Sequence, residues 1–347
     1  MEKLIGYLKD FRKRMYLKNL SHSKFAFVGL GNHSINNLYP VINYLKLQLK
    51  YIVTQSSKNA ELIDKSVPNV EGTNDFDKVL RDEEISGIFI SASPKSHFHL
   101  IKKVLENDKN VFVEKPPCYT LDELNELIEV EEKSKGNCFV GLQKQYAPAN
   151  IELKKHTKDK CSYNYRFVTG IYPEGDPFLD LFIHPISLVS FLFGDAELKS
   201  CSSSSSKNGI TLFLQLSHSN GTIGAVELST EYSWSNAFEN IIVNTKKGVF
   251  EISNTEELTF EPKQGSILGI PKEKIFGDKS TTVILKKRNN FIPIIENNQI
   301  YSSGYFSEIE NFVNHCENKK HQNNSSLKSC INTYKIINTI KTEIKYV

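Results

Sequence analysis

From Lys24 onward, short apolar runs alternate with stretches in which apolar residues recur at helical spacing. Residues 25–30, 49–54, 87–91, 110–113 and 138–142 are apolar runs and predict strands. Between them, residues 34–47, 61–65, 76–81, 97–107 and 121–135 predict helices, the first interrupted by Pro40. Repeated strand–helix units of this length imply a parallel, doubly wound α/β sheet. Right-handed crossovers place the ligand of such a sheet at the carboxyl ends of its strands.

Beyond residue 146 the texture changes. Residues 163–171, 210–218, 222–229, 241–244 and 249–252 predict strands, joined by turns such as Asn208-Gly209, Asn220-Gly221 and Lys247-Gly248. This half predicts a large, mostly antiparallel sheet. Residues 305–316 and 326–344 predict closing helices, and the serine run 202–206 a polar strand or turn. Residues 4–17 place Leu4, Leu8, Phe11 and Met15 on one helical face. That helix is expected to pack on its own domain or a partner subunit, a membrane surface being the alternative. The division expected is a basic amphipathic helix (1–23), a nucleotide-binding domain (24–145) and an α+β substrate and dimerisation domain (146–347).

Composition narrows the class. The 347 residues are 39% hydrophobic and 24% charged, which is ordinary for a globular protein. No apolar run approaches the ~18 residues of a membrane span, and no secretory signal is visible, so a cytoplasmic protein is expected. The net charge is +3, too small to suggest nucleic acid as a partner. The excess sits at the front: Lys3, Lys9, Arg12, Lys13, Arg14, Lys18 and Lys24 outnumber Glu2 and Asp10. Six cysteines show no C-x-x-C pair or metal-ligand spacing, so reduced thiols and no metal are expected.

Two patterns carry chemistry. Gly29-Leu30-Gly31-Asn32-His33-Ser34 follows the first strand and opens a helix. Gly29 permits a tight turn, Gly31 lets a pyrophosphate approach the backbone, and Ser34 is small where a third glycine usually stands. The second strand ends at Ser56-Ser57-Lys58 without the carboxylate that binds ribose hydroxyls. Hydroxyls and an ammonium there point to a 2′-phosphate, hence NADP(H), with NAD(H) the alternative; a solvated turn is the plainer reading. Lys115 lies just beyond a buried strand, between Glu114 and Pro116, at the edge that faces a nucleotide crevice. Asp180 and His184 are four apart and share a face if helical. A neighbouring carboxylate raises a histidine pKa and orients the ring for proton transfer, although such pairs are also common as satisfied buried contacts.

Gly29-x-Gly31, Ser91-Ala92-Ser93-Pro94 with His97, Glu114-Lys115-Pro116 and Asp180-x-x-x-His184 occur in one order. The set, over about residues 25–345, resembles the glucose–fructose oxidoreductase/inositol dehydrogenase/rhizopine-catabolism (Gfo/Idh/MocA) family. The resemblance implies a Rossmann domain followed by an α+β domain whose open sheet often forms a dimer face. It implies hydride transfer between nicotinamide and a carbinol or ketone carbon of a sugar, cyclitol or nucleotide sugar, in a homo-oligomer (dimer or tetramer). Lys115, Asp180 and His184 match its catalytic trio. Ser91, Ala92, Ser93, Pro94, His97, Glu114, Lys115 and Gln143 fall on its cofactor side, with Gly29, Gly31, Asn32, His33 and Ser34. The chain departs from the family at Gln143 and Gln145, where Arg or Asn is frequent. Candidate substrate contacts are Tyr146, Arg166, Tyr172, Trp234 and Asn236, with Arg166 suited to a phosphate. The alternatives are a non-catalytic dinucleotide-binding regulator and an imine or double-bond reductase.

Overall fold

Six parallel strands form the first sheet: β1 (Lys24–Val28), β2 (Gln48–Val53), β3 (Glu71–Thr73), β4 (Ile85–Ile90), β5 (Asn110–Glu114) and β6 (Cys138–Gly141). Their order is β3-β2-β1-β4-β5-β6, so the chain reverses direction across the sheet between β1 and β4. The central strands β1, β4, β5 and β6 are largely apolar and buried, as expected where helices cover both faces of a parallel sheet. The computed structural model describes residues 2–17, 21, 23–159, 161–172, 175–207, 209–277 and 281–345. It divides into two compact units, one of residues 1–114, 129–139 and 309–323, the other of 115–128, 140–308 and 324–347.

Phe312 fills the core of the first unit. It is fully buried and meets Phe89, Phe112, Phe139 and Phe25 at ring-centroid separations of 5.0, 5.9, 5.4 and 6.4 Å. Gly87 on β4 makes room for it, since a Cβ there would lie 2.9 Å from the Phe312 ring. The helix predicted over 97–107 spans Pro94–Glu106 and buries His97, Ile101, Val104 and Leu105, a helical stripe. Pro40 sits at the second position of a helix Tyr39–Tyr44, where its missing N–H costs nothing, and a π-type turn Ser34–Leu38 precedes it. The apolar residues Leu4, Leu8 and Phe11 of the helix Glu2–Leu17 are half or more exposed.

The second unit is built on eight strands: β7 (Ser162–Gly170), β8 (Ala196–Ser206), β9 (Gly209–His218), β10 (Ile223–Tyr232), β11 (Phe238–Thr245), β12 (Gly248–Ser253), β13 (Glu257–Pro262) and β16 (Val283–Lys287). The order is β16-β13-β12-β11-β7-β10-β9-β8, antiparallel except for β7 beside β10. Two short strands, β14 (Ser266–Ile267) and β15 (Ile270–Pro271), pair apart from it. Leu212, Leu214, Leu216, Val226 and Leu228 point inward in strict alternation, whereas Phe213 on the other face is 57% exposed. The inward face meets the apolar helix Ile183–Phe193, where Phe193 stacks on Tyr163 at 4.2 Å. The serine run 202–206 is the end of edge strand β8, paired with residues 209–213. The Asn220-Gly221 and Lys247-Gly248 turns join β9 to β10 and β11 to β12, while Asn208 lies outside the described residues. The strands β3, β13 and β16 were not expected, being short or polar.

Replacing Phe312 by Ala should cost about 3–5 kcal/mol of stability, because four buried rings lose their common neighbour. Urea unfolding of the variant checks this; a loss under about 1 kcal/mol would mean that the cluster collapses onto the gap.

Candidate functional site

The chain leaves β1 through Gly29, whose φ is +93°. A Cβ at Gly29 would stand 2.4 Å from the Ser91 carbonyl oxygen, so only glycine passes here. The Gly29 N–H donates to the Val53 carbonyl at 2.9 Å, and the Ser91 N–H to the Val28 carbonyl at 2.9 Å. Those bonds hold the ends of β2, β1 and β4 together around the turn. Ser34, fully buried, donates its hydroxyl to Ser91 Oγ at 2.8 Å. At Gly31, by contrast, a Cβ would meet nothing within 4 Å. The first glycine is therefore needed inside the fold, while the second borders open space. A pyrophosphate fits such a turn: the backbone is bare on its outer side and opens a helix.

Around the turn, His33 Nε2 lies 3.0 Å from Glu114 Oε1, and Glu114 is buried at the end of β5. His97 is buried, with Nε2 3.0 Å from the Ala92 carbonyl, which fixes the loop of Ser91, Ala92, Ser93 and Pro94 at the end of β4. Ser93 occupies the N-cap position of the helix that Pro94 begins, without a side-chain capping bond. Asn32 is exposed. Ser56 is the N-cap of the helix Ser57–Ser66, accepting from Asn59 N at 3.2 Å, and Ser57 Oγ accepts from Asn74 at 3.1 Å. Lys58 is exposed beside that helix start. These residues all belong to the first unit.

Lys115, the residue after Glu114, begins the second unit, and its bond to Pro116 is cis. Its ammonium donates to the backbone carbonyl of Asp180. Asp180 sits in a π-type turn, Phe178–Phe182, which runs straight into the helix Ile183–Phe193 bearing His184. Pro185 explains the wider turn: it lacks the N–H that an unbroken α-helix would send to the Leu181 carbonyl. Asp180 Oδ2 accepts from the Asp176 N–H at 2.9 Å, and Gly175 (φ +88°) lies so close that a Cβ would be 2.3 Å from that oxygen. Asp176 in turn pairs with Lys341 on the helix Leu327–Glu343. Burial is the largest influence on the Asp180 carboxyl and pushes it above the ordinary carboxylate range; the Lys115 ammonium and the Asp176 N–H pull it down. His184 is buried in the first turn of its helix, its carbonyl accepting from Ser187 Oγ at 3.0 Å.

Residues 23–142 match the model of an oxidoreductase family with an NAD-binding Rossmann fold, Gfo/Idh/MocA. Over this region the chain is similar to the Gfo/Idh/MocA oxidoreductase family. The scyllo-inositol 2-dehydrogenase (NAD(+)) of Bacillus subtilis is 27% identical over 158 residues, 41% of this chain and 45% of that protein. The chain spans 39–53% of the length of the first curated relatives it matches. Among solved structures, a dehydrogenase from Chromobacterium violaceum superposes with a TM-score of 0.77 at 19% identity, over 92% of this chain and 94% of that one. KijD10, a 3-ketoreductase from Actinomadura kijaniata, gives 0.70 at 12% identity, over 92% and 97%. At those identities the structures establish the fold.

The candidate substrate residues all belong to the second unit, and their contacts differ. Tyr146 is buried, its hydroxyl 3.1 Å from Ser325 Oγ and accepting from Asn324 N at 2.9 Å. Arg166 on β7 is engaged by Glu227 and by Tyr232. Trp234 donates its indole N–H to the Ile171 carbonyl at 3.0 Å and is 54% exposed. Tyr172 is half-buried, and Asn236 is exposed. Gln143 donates to the Tyr305 hydroxyl at 3.4 Å, and Gly304 (φ +99°) leaves only 2.0 Å between a Cβ and the Gln143 carbonyl. Gly304, Tyr305 and Lys341 escaped the sequence reading because each lies more than 150 residues from its partner; only the Gly-Tyr pair ahead of a helix offers a trace.

A carboxyl with a raised folded-state pKa is penalised on ionising, so the folded state loses stability as pH climbs from the unfolded value through the folded one. Asp180→Asn should remove that penalty. Its Tm near neutral pH should exceed the parent's, and its decline above about pH 4 should be shallower. Calorimetry across that range decides, and superimposable profiles would contradict the burial argument.

Proposed function

We propose that the chain is an NAD(P)-dependent oxidoreductase acting on a carbinol or ketone carbon of a sugar, cyclitol or nucleotide sugar. The observation that supports it most is the meeting of Lys115 with Asp180, one turn before His184, in a chain whose residues 23–142 match the model of an NAD-binding oxidoreductase family. The turn from Gly29 to Ser34, with Ser91–Pro94 and His97 beside it, would hold the dinucleotide. When bound, that group supplies the acceptor or donor of the hydride.

The chain's own residues handle the oxygen. In the oxidative direction, His184 takes the hydroxyl proton as the carbon-bound hydrogen departs with its electron pair and the C–O bond becomes a carbonyl. Lys115 hydrogen-bonds the same oxygen and stabilises charge that builds on it. Asp180 supports this pair, holding the Lys115 ammonium through its backbone carbonyl and its field. In reduction His184 returns the proton. One substrate class follows from relatives: a matched protein bears the name of an inositol dehydrogenase, and a structure of similar fold is described with NADP and TDP-benzene. Ser56, Ser57 and Lys58, with no carboxylate among them, favour NADP(H) as the cofactor.

Lys115→Ala and His184→Ala should each lower turnover by about 10²-fold or more while dinucleotide affinity stays near the parent's. Steady-state rates on inositols, sugars and nucleotide sugars, beside fluorescence titration with NADPH, test both halves. Parent-like rates in both variants would end the proposed roles. Dinucleotide binding without turnover on any of these compounds would favour a ligand-sensing protein.

Lys58→Glu should weaken NADPH relative to NADH. The ratio of the two dissociation constants is the readout, and an unchanged ratio would remove the cofactor preference.

A further inference from the structure

Away from the nucleotide turn, His315 and His321 face each other in the first unit with Nδ1 of the former 3.0 Å from Nε2 of the latter. The other nitrogen of each ring settles its tautomer. His315 Nε2 lies 3.0 Å from Asn110 Oδ1. The Asn110 amide cannot be turned over, because Oδ1 also accepts from Asn137 N at 3.0 Å and Nδ2 donates to the Ser86 carbonyl at 3.2 Å. His315 therefore carries its proton on Nε2 and its lone pair on Nδ1. His321 Nδ1 lies 2.9 Å from the Lys319 carbonyl, an acceptor only, so His321 carries its proton on Nδ1 and its lone pair on Nε2. In neutral rings the two facing nitrogens are thus both lone pairs, and a cation between them would resolve the repulsion.

We propose that His315 Nδ1 and His321 Nε2 form a two-imidazole site for a late transition-metal ion of the Cu²⁺ and Ni²⁺ class. Each ring donates its remote N–H to a carbonyl, the outer arrangement that metal-bound histidines adopt. A nitrogen separation of 3.0 Å subtends about 90° at an ion with bonds of about 2.1 Å, the angle between neighbouring ligands in square-planar or octahedral geometry. The site lies at the carboxyl end of the helix Tyr305–Cys316, where the helix dipole favours positive charge. His321 is exposed, so the remaining positions are open to water. Among the described residues, no group of three or more His, Cys, Asp or Glu side chains is arranged to hold a metal, which sets the order of affinity: a two-ligand site, not a closed one. A bound ion would fasten the turn after Cys316 to the head of β5, through Asn110.

The full chain, free of any histidine tag and stripped with a chelator, is titrated with CuCl₂ and NiCl₂ by calorimetry, with electron paramagnetic resonance on the Cu²⁺ form. One equivalent should bind, with hyperfine splitting from two nitrogens. His321→Gln and His315→Gln should each weaken binding by roughly tenfold or more. His321 is on the surface, so its variant should keep the parent's circular dichroism and Tm without metal. Undiminished binding in His321→Gln would overturn the proposal. So would histidine NMR spectra showing that the facing nitrogens share a proton and that neither ion perturbs them.

Discussion

The first unit turns on a place where a side chain cannot exist. At Gly29 the backbone passes so close to the Ser91 carbonyl that a Cβ would sit at 2.4 Å, and φ is +93°. The close approach follows from the hydrogen bonds on both sides, Gly29 to Val53 and Ser91 to Val28. It brings the ends of β2, β1 and β4 to one level. Because the strand ends are level, the loops after β1, β2 and β4 emerge together, and each carries residues proposed for the nucleotide. Ser34 shows the same constraint one turn on: a buried hydroxyl bonded to Ser91 replaces what is usually a third glycine.

Burying charge governs the second unit. An uncompensated ion inside a protein costs several kcal/mol, so buried carboxylates appear with partners. Glu239, buried at the start of β11, receives both the Lys144 ammonium and the Tyr165 hydroxyl. The Lys144 carbonyl is held in turn by Asn150 Nδ2 at 2.8 Å. The segment Gln143–Tyr146 is therefore anchored at its centre by ionic contacts and at its start by Gly304 and Tyr305. A Gln at 143 thus sits in a rigid setting. Its contribution is one of shape and hydrogen bonding rather than charge.

Periodicity exposed what depends on neighbours in the sequence. The apolar runs of β1, β4 and β5 and the stripe His97, Ile101, Val104, Leu105 are local patterns, and they were legible. So were the glycine turn and the Asn220-Gly221 hairpin. Phe312 shows the limit. It lies in a helix that reads as amphipathic, yet its ring fills the core of a unit whose other residues end at 139. Edge strands such as β16 escaped because an exposed edge does not need alternating apolar residues. The proposed trio of Lys115, Asp180 and His184 came from motifs. That Lys115 bonds to the backbone carbonyl of Asp180 could not be read from them, since every residue has such a carbonyl.

That contact shapes the chemistry available to Asp180 and Lys115. An ammonium has three N–H donors, and the peptide oxygen takes one of them without neutralising the charge. The Asp180 carboxylate accepts from the Asp176 N–H. Burial and the Lys115 charge act on its proton in opposite directions. The proton affinity of Asp180 consequently depends on where the Lys115 side chain lies: an ammonium drawn towards another oxygen would pull the Asp180 carboxyl down less. Proton affinity at Asp180 and the position of the Lys115 ammonium are therefore linked, with burial the larger influence.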